Sequence, residues 1–200
     1  MSNQYIIAIG REFGSGGKHI GRALAKELGL KLYDRNIVEH IAEEMDIDAK
    51  HLYKYSEKKR NPFLNRTVKG HTNALEDHVI EHQFDYIRRL ADSGESFVIV
   101  GRCAEEVLKD RKGLITIFVK GEREYRIKRV MEQFELNRED AVEKMDRHDK
   151  TRKAYHDHYC SAKWGDAKTY DLCVESSHLG TVGTANLLAT YVKKRLEKMF

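Results

Sequence analysis

The densest run of chemistry-bearing residues is Gly10-Arg11-Glu12-Phe13-Gly14-Ser15-Gly16-Gly17-Lys18, directly after the apolar run Tyr5-Ile6-Ile7-Ala8-Ile9. Closely spaced glycines let successive backbone N–H groups turn inward as an anion nest, and a helix starting at the end of the run adds the partial positive charge of its N-terminus. Lys18, at that helix start, reaches the outer phosphates of a nucleotide. Arg11, Gly14, Ser15, Gly16, Gly17, Lys18 and His19 are therefore the expected cradle for ATP or another nucleoside triphosphate. The usual loop of this kind reads Gly-x-x-x-x-Gly-Lys-Ser/Thr, with the hydroxyl on Mg²⁺. Here Gly17-Lys18 fits, Glu12 stands where the leading glycine would be, and His19 replaces the hydroxyl. Ser15 is the substitute metal ligand. The bland alternative is a tight strand–helix turn that binds nothing.

Phosphoryl transfer requires two phosphates in line and their charge neutralised away from water. Planar guanidinium groups on mobile segments suit this task. Arg126 and Arg129 lie three residues apart, and Arg147 and Arg152 follow beyond a hinge near Leu136-Asn137. Asp146 and Asp149 could orient these arginines or hold a metal through water. With Lys18 these six form the expected catalytic set; the competing reading is an ordinary charged helix laced with ion pairs. On the acceptor side Asp34, Arg35 and Arg102 sit at the ends of strand-like runs, where open α/β sheets bind ligands. Asp34 could equally cap a helix and Arg35 be a solvated first-turn residue. Phe13, Trp164 and Tyr170 could stack on a base or be core.

Two further patterns carry metal-like residues. His78-Val79-Ile80-Glu81-His82 fits H-x-x-E-H, with His78 and His82 on one helical face, so a zinc hydrolase is the remote alternative. His156-Asp157-His158-Tyr159-Cys160 is also metal-like, but side chains two apart on a helix diverge. It is read as the end of a lid, with no metal.

The elements that must position these residues are legible from periodicity. Short apolar strands at 5–9, 30–33, 96–100, 114–119 and 170–174 alternate with helical segments, which predicts an α/β fold with a parallel sheet covered on both faces. Helices are expected at about 18–28, after Asp34, at about 73–90, 122–134, 138–159 and 184–199. Residues 46–95 are charged and contain the only proline, Pro62, with a weak joint at Ser56-Glu57-Lys58-Lys59-Arg60-Asn61. They read as a low-contact insert, and 136–165 as a lid, within one domain spanning 1–200.

The 200 residues are 40% hydrophobic and 34% charged, enough for a core beneath a polar surface. No apolar run approaches the roughly 20 residues of a membrane helix. The N-terminus has no basic leader, and Cys103, Cys160 and Cys173 are odd in number and widely spaced. A cytoplasmic setting is the expectation. Basic residues interleaved with acids, and no stacking platform, argue against nucleic acid as a partner. A homo-oligomer stays open.

From Ile6 to the last helix the chain resembles the cytidylate kinase-like family, a branch of the P-loop nucleoside monophosphate kinases. Ile9-Gly10-Arg11-Glu12-Phe13-Gly14-Ser15-Gly16-Gly17 is similar to a form of that family's loop. Leu28-Gly29-Leu30-Lys31-Leu32-Tyr33-Asp34 resembles its second strand, ending in an acid near the acceptor. Val98-Ile99-Val100-Gly101-Arg102-Cys103 resembles a strand followed by Gly-Arg-Asp, whose Arg and Asp hold the base and phosphate of CMP; here Cys103 replaces the acid. Lys144 to Arg152 resembles the lid sequence Arg-Asp-x-Arg-Asp-Ser-x-Arg, and Tyr170 to Ser177 the last strand. The resemblance implies a three-layer P-loop kinase fold with a five-stranded parallel sheet, a helical acceptor-binding insert and a helical lid. It also implies phosphoryl transfer from ATP, with Mg²⁺, to a CMP-like nucleoside monophosphate. Because His19 and Cys103 depart from the pattern, a nucleotide-binding module or sensor is the alternative.

Overall fold

The computed structural model describes residues 3–34, 36–45, 48, 50, 67–68, 71–72 and 75–199. Five strands, β1 (Ile6–Arg11), β2 (Lys31–Tyr33), β5 (Phe97–Val100), β6 (Leu114–Lys120) and β7 (Leu172–Glu175), form one sheet in the order β2-β5-β1-β6-β7. Every pairing in it is parallel. The central strand β1 is flanked on both sides, with Ile7 opposite Val98 and Ile115. Buried on both faces, such strands must be apolar throughout, which is why Ile6 to Ile9 read as a continuous run rather than an alternation.

Seven helices are present among the described residues: α1 (Gly17–Leu28), α2 (Asn36–Met45), α3 (Leu75–Asp92), α4 (Ala104–Val107), α5 (Arg123–Phe134), α6 (Arg138–Tyr159) and α7 (Gly180–Met199). Ile20 and Leu24 of α1 and Leu188 and Val192 of α7 pack on one sheet face. Ile37, Val38 and Ile41 of α2 and Val79, Ile87 and Ala91 of α3 pack on the other. Full burial of each large aliphatic side chain contributes about 1.5–3 kcal/mol. A third cluster, Ile127 and Val130 of α5 with Ala141 and Met145 of α6, has Phe13 of the glycine-rich loop against it, so the α5–α6 pair is anchored to that loop. Gly29 closes α1 in the left-handed conformation, as its position predicts.

Within 46–95, expected as a low-contact insert containing a helix at about 73–90, α3 gives Val79, Ile87 and Ala91 to the cluster it shares with α2. That segment also holds an antiparallel ladder, β3 (Thr67–Val68) with β4 (His71–Thr72), which the sequence pattern did not suggest. Residues 56–62 and Arg35 lie outside the described residues. The expected hinge at Leu136-Asn137 is a tight connection: Glu135 ends α5 in the left-handed region (φ 54°), and the Asn137 side chain accepts the Asp140 amide at 2.9 Å to start α6. Among the described residues no helix is long and apolar enough to cross a membrane.

Candidate functional site

The strand order brings the carboxyl ends of β1, β5, β6 and β7 to one edge, where 12–17, 101–103, 121–122 and 176–177 meet. Gly14 and Gly16 both take left-handed φ, 81° and 82°. A Cβ at Gly16 would also come within 2.7 Å of the Thr181 side chain, so only glycine fits. α1 starts at Gly17 with no acidic residue in its first turn, leaving its positive end uncompensated for an anion. The loop is held from outside: the Ser176 hydroxyl donates to the Ser15 carbonyl at 2.7 Å, and Arg129 Nε donates to the Gly14 carbonyl at 3.1 Å.

Beside the loop lies a cleft of about 410 Å³. Its walls bring together Arg11, Gly14, Gly16, Gly17, Lys18 and His19 with Asp34, Arg102, Arg129 and Arg152. Lys18 Nζ pairs with Asp34 Oδ2 at 2.9 Å, linking the loop to the end of β2. Burial lowers the His19 pKa, as does the charge of Arg129, Arg22 and Lys18, so the imidazole is neutral at pH 7 in a cationic surround. Phe13 stacks on His148 with ring centroids 4.2 Å apart, and the Arg152 guanidinium lies 5.3 Å from the Phe13 ring.

The turn after β5 is strained. Gly101, Arg102 and Cys103 take φ of 79°, 65° and 51° in succession. For the two non-glycine residues this conformation costs about 1–3 kcal/mol each. Such strain is characteristic of sites where one side chain must be aimed, and here the aimed side chain is Arg102, 4% exposed on the cleft wall. Gly101 has the left-handed φ that favours glycine, and the Arg11 guanidinium lies directly over its Cα.

Five expected site residues are placed elsewhere, off the cleft lining. Arg126 is buried away from the cleft lining and contacts Glu12 Oε2 at 3.5 Å, Asp149 Oδ2 at 2.5 Å and the Phe13 carbonyl at 3.1 Å. Asp149 is its partner and also accepts the Phe13 amide. Asp146 makes a two-pronged pair with Arg123 on the exposed outer side of α5 and α6, and Arg147 is exposed and off the cleft. The Ser15 hydroxyl, 0% exposed, donates to the Glu12 carbonyl and accepts the Gly17 amide, so it has no room for a metal. Trp164 and Tyr170 both pack on Phe118.

Missed by the sequence reading were Phe134, Lys144 and His148, which line the same cleft. The signal was present: Lys144, His148 and Arg152 follow at spacings of four, one face of α6. His78 and Glu81 form only an exposed pair at 3.8 Å. Among the described residues the one convergent group of metal-type donors is Glu105, His156 and Cys160. His156 and Cys160 are a full helical turn apart, a spacing passed over when His156 was compared with His158.

Residues 6–178 match the model of the cytidylate kinase-like family. A cytidylate kinase of Methanococcus vannielii is 26% identical over 191 residues, covering 94% of this chain and 99% of that protein. A solved structure of an uncharacterised protein from Eubacterium ventriosum is 34% identical, with a TM-score of 0.75 over 95% of this chain and 99% of its own. Shikimate kinase from Bacteroides thetaiotaomicron, 12% identical, shares the fold at a TM-score of 0.57, with 96% and 98% covered. With the glycine loop, the strand order and a match over most of its length, this chain belongs to the cytidylate kinase-like family.

Proposed function

We propose that this chain is a phosphotransferase that passes the terminal phosphoryl group of ATP, or another nucleoside triphosphate, to a nucleoside monophosphate, with a CMP-like acceptor favoured. The observation that carries this reading is the convergence of the glycine loop, Lys18, Arg102, Arg129 and Arg152 on one cleft. The name of the Methanococcus relative supports the acceptor class.

In this reading the loop amides and the α1 N-terminus take the donor phosphates, and Lys18 leaves Asp34 to meet the terminal phosphate. Arg129 stands over Gly16 and Arg152 faces it from α6; as charge spreads over the transferring group, both guanidinium groups neutralise it. Arg102, aimed by the strained turn, holds the acceptor phosphate in line. Phe13, stacked on His148, closes one wall against water. Asp149 and Arg126 fix the loop without touching substrate. Ser15 is enclosed and His19 offers nitrogen, so neither would hold Mg²⁺, which requires hard oxygen ligands; on the cleft wall those would be the carboxylates of Glu12 and Asp34.

The deciding experiment measures ADP release from MgATP with CMP, UMP, dCMP, AMP and GMP in turn. Turnover with a pyrimidine monophosphate, lost in Lys18→Ala, supports the proposal. Tight nucleotide binding with no turnover on any acceptor replaces it with a nucleotide-binding module, the reading that His19 and Cys103 favour.

A further inference from the structure

Next to the Arg102-Cys103 turn, side chains from two parts of the chain converge. Glu105 of α4 and His156 of α6 are 8% and 3% exposed, and Glu105 Oε1 lies 3.0 Å from His156 Nε2. Cys160 follows His156 by one helical turn and shares its face. One donor atom from each of Glu105, His156 and Cys160 lies within 4.8 Å of the others. The buried Cys103 thiol is hydrogen-bonded to Cys160, and no disulfide joins them.

An ion pair alone leaves this cluster incomplete. Glu105 Oε2 and His156 Nδ1 are buried without a hydrogen-bond partner. The Tyr170 hydroxyl donates to Glu105 Oε1, the oxygen already facing His156, and not to Oε2. A carboxylate, an imidazole and one sulfur converge there, with the Cys103 thiol bonded to that sulfur, and this donor set matches zinc rather than magnesium or calcium. That same Nδ1 has Asp157 Oδ1 3.7 Å away, beyond hydrogen-bond reach but placed as outer carboxylates are that orient a ligating histidine, while Nε2 faces the cluster. A cavity of about 30 Å³ borders Cys103, Glu105 and His156 and adjoins the nucleotide cleft, giving an ion a way in.

The geometry points to a second, metal-binding site in this chain, in which Glu105, His156 and Cys160, completed by Cys103, hold one zinc-class divalent ion. Bound there, the ion ties the left-handed Arg102-Cys103 turn to the end of α6, and so fixes Arg102 relative to Arg152. The site does not depend on the identity of the phosphoryl acceptor.

The test uses the full chain, reduced and stripped with a chelator, then titrated with Zn²⁺ against a chromophoric competitor and separately with Co²⁺. One zinc per chain is expected, with a cobalt spectrum carrying intense tetrahedral visible bands and sulfur-to-metal charge transfer. Cys160→Ser and His156→Gln should each weaken zinc binding by at least about tenfold. Both thiols should react more slowly with a thiol reagent once zinc is added. A wild-type chain that retains no zinc, or whose cobalt spectrum lacks the sulfur band, overturns the site without recourse to any variant. Equal zinc affinity in the wild type and in folded Cys160→Ser and His156→Gln overturns it as well, by placing the metal elsewhere.

Discussion

Asp149 Oδ1 accepts the backbone N–H of Phe13 at 2.7 Å, so a carboxylate on α6 holds the glycine-rich loop in shape from outside. Its other oxygen takes the Arg126 guanidinium, which in turn bonds the Phe13 carbonyl. Asp146, three residues before Asp149, pairs among the described residues with the exposed Arg123 alone. In Asp149→Asn the amide nitrogen would face Arg126, donor against donor, while the oxygen could still serve Phe13. We expect this variant to lose about 1.5–3 kcal/mol, the range of a charge-assisted bond. Asp146→Asn should lose no more than about 1 kcal/mol, as exposed pairs do. Urea unfolding of the two variants compares them directly, and equal losses would contradict the assignment.

Lys18 is claimed by Asp34 across the cleft, at 2.9 Å. A triphosphate has to draw Lys18 away and also tolerate the carboxylate near its own charge. Neutralising the carboxylate in Asp34→Asn removes both obstacles. ATP should then bind about two- to fivefold more tightly, the scale of a half-exposed pair. Lys18→Ala should bind at least about tenfold more weakly. Calorimetry on both variants checks the signs; weaker binding in Asp34→Asn would mean that this carboxylate assists the nucleotide rather than competing with it.

The four arginines on α5 and α6 expected to share a chemistry do not share a position, and Arg152 lines the cleft. Arg129 lines the cleft, Arg126 is spent on the loop, and Arg147 faces outward. Under the proposed reaction Arg129→Ala should lower kcat by at least about 100-fold, the lower range for a group that meets transition-state charge. Arg147→Ala should stay within about twofold of the parent. A large kcat loss in Arg147→Ala would require α6 to rotate on closing and would displace Arg152 from the cleft.

The contrast among those arginines also shows what a sequence can carry. The strands were readable because a strand covered on both faces must be apolar at every position, as Ile6 to Ile9 are. The glycine loop was readable because few other backbones tolerate the φ that Gly14 and Gly16 adopt. The row Lys144, His148, Arg152 was equally open to inspection, but attention to the Asp146–Asp149 spacing hid it. Whether Arg126 or Arg129 reaches the cleft was not legible, since the answer lies in Glu12 and Asp149 intercepting one of two residues on the same helical face. The Glu105–His156 pair was illegible for the same reason, its partners being 51 residues apart.

Under the proposed function His19, where a hydroxyl would usually follow the loop lysine, should make nucleotide binding pH-dependent. Burial first, then Arg129, Arg22 and Lys18, hold its pKa below 6.5 in the ligand-free protein. Bound phosphates offset those three cations, so the pKa in the complex is higher than in the ligand-free chain. Between the two values the complex carries more protons than its parts, and affinity therefore rises as pH falls through that window. The unliganded fold responds in the opposite sense: its depressed imidazole pKa costs stability as pH drops below 6.5. Calorimetry at mildly acidic pH, in buffers of differing ionisation heat, should show proton uptake in the wild type beyond that in His19→Gln, which keeps a polar side chain but cannot titrate. The phosphate groups of ATP titrate in both proteins and cancel in the comparison. Identical uptake in the two would remove His19 from the field of the bound nucleotide.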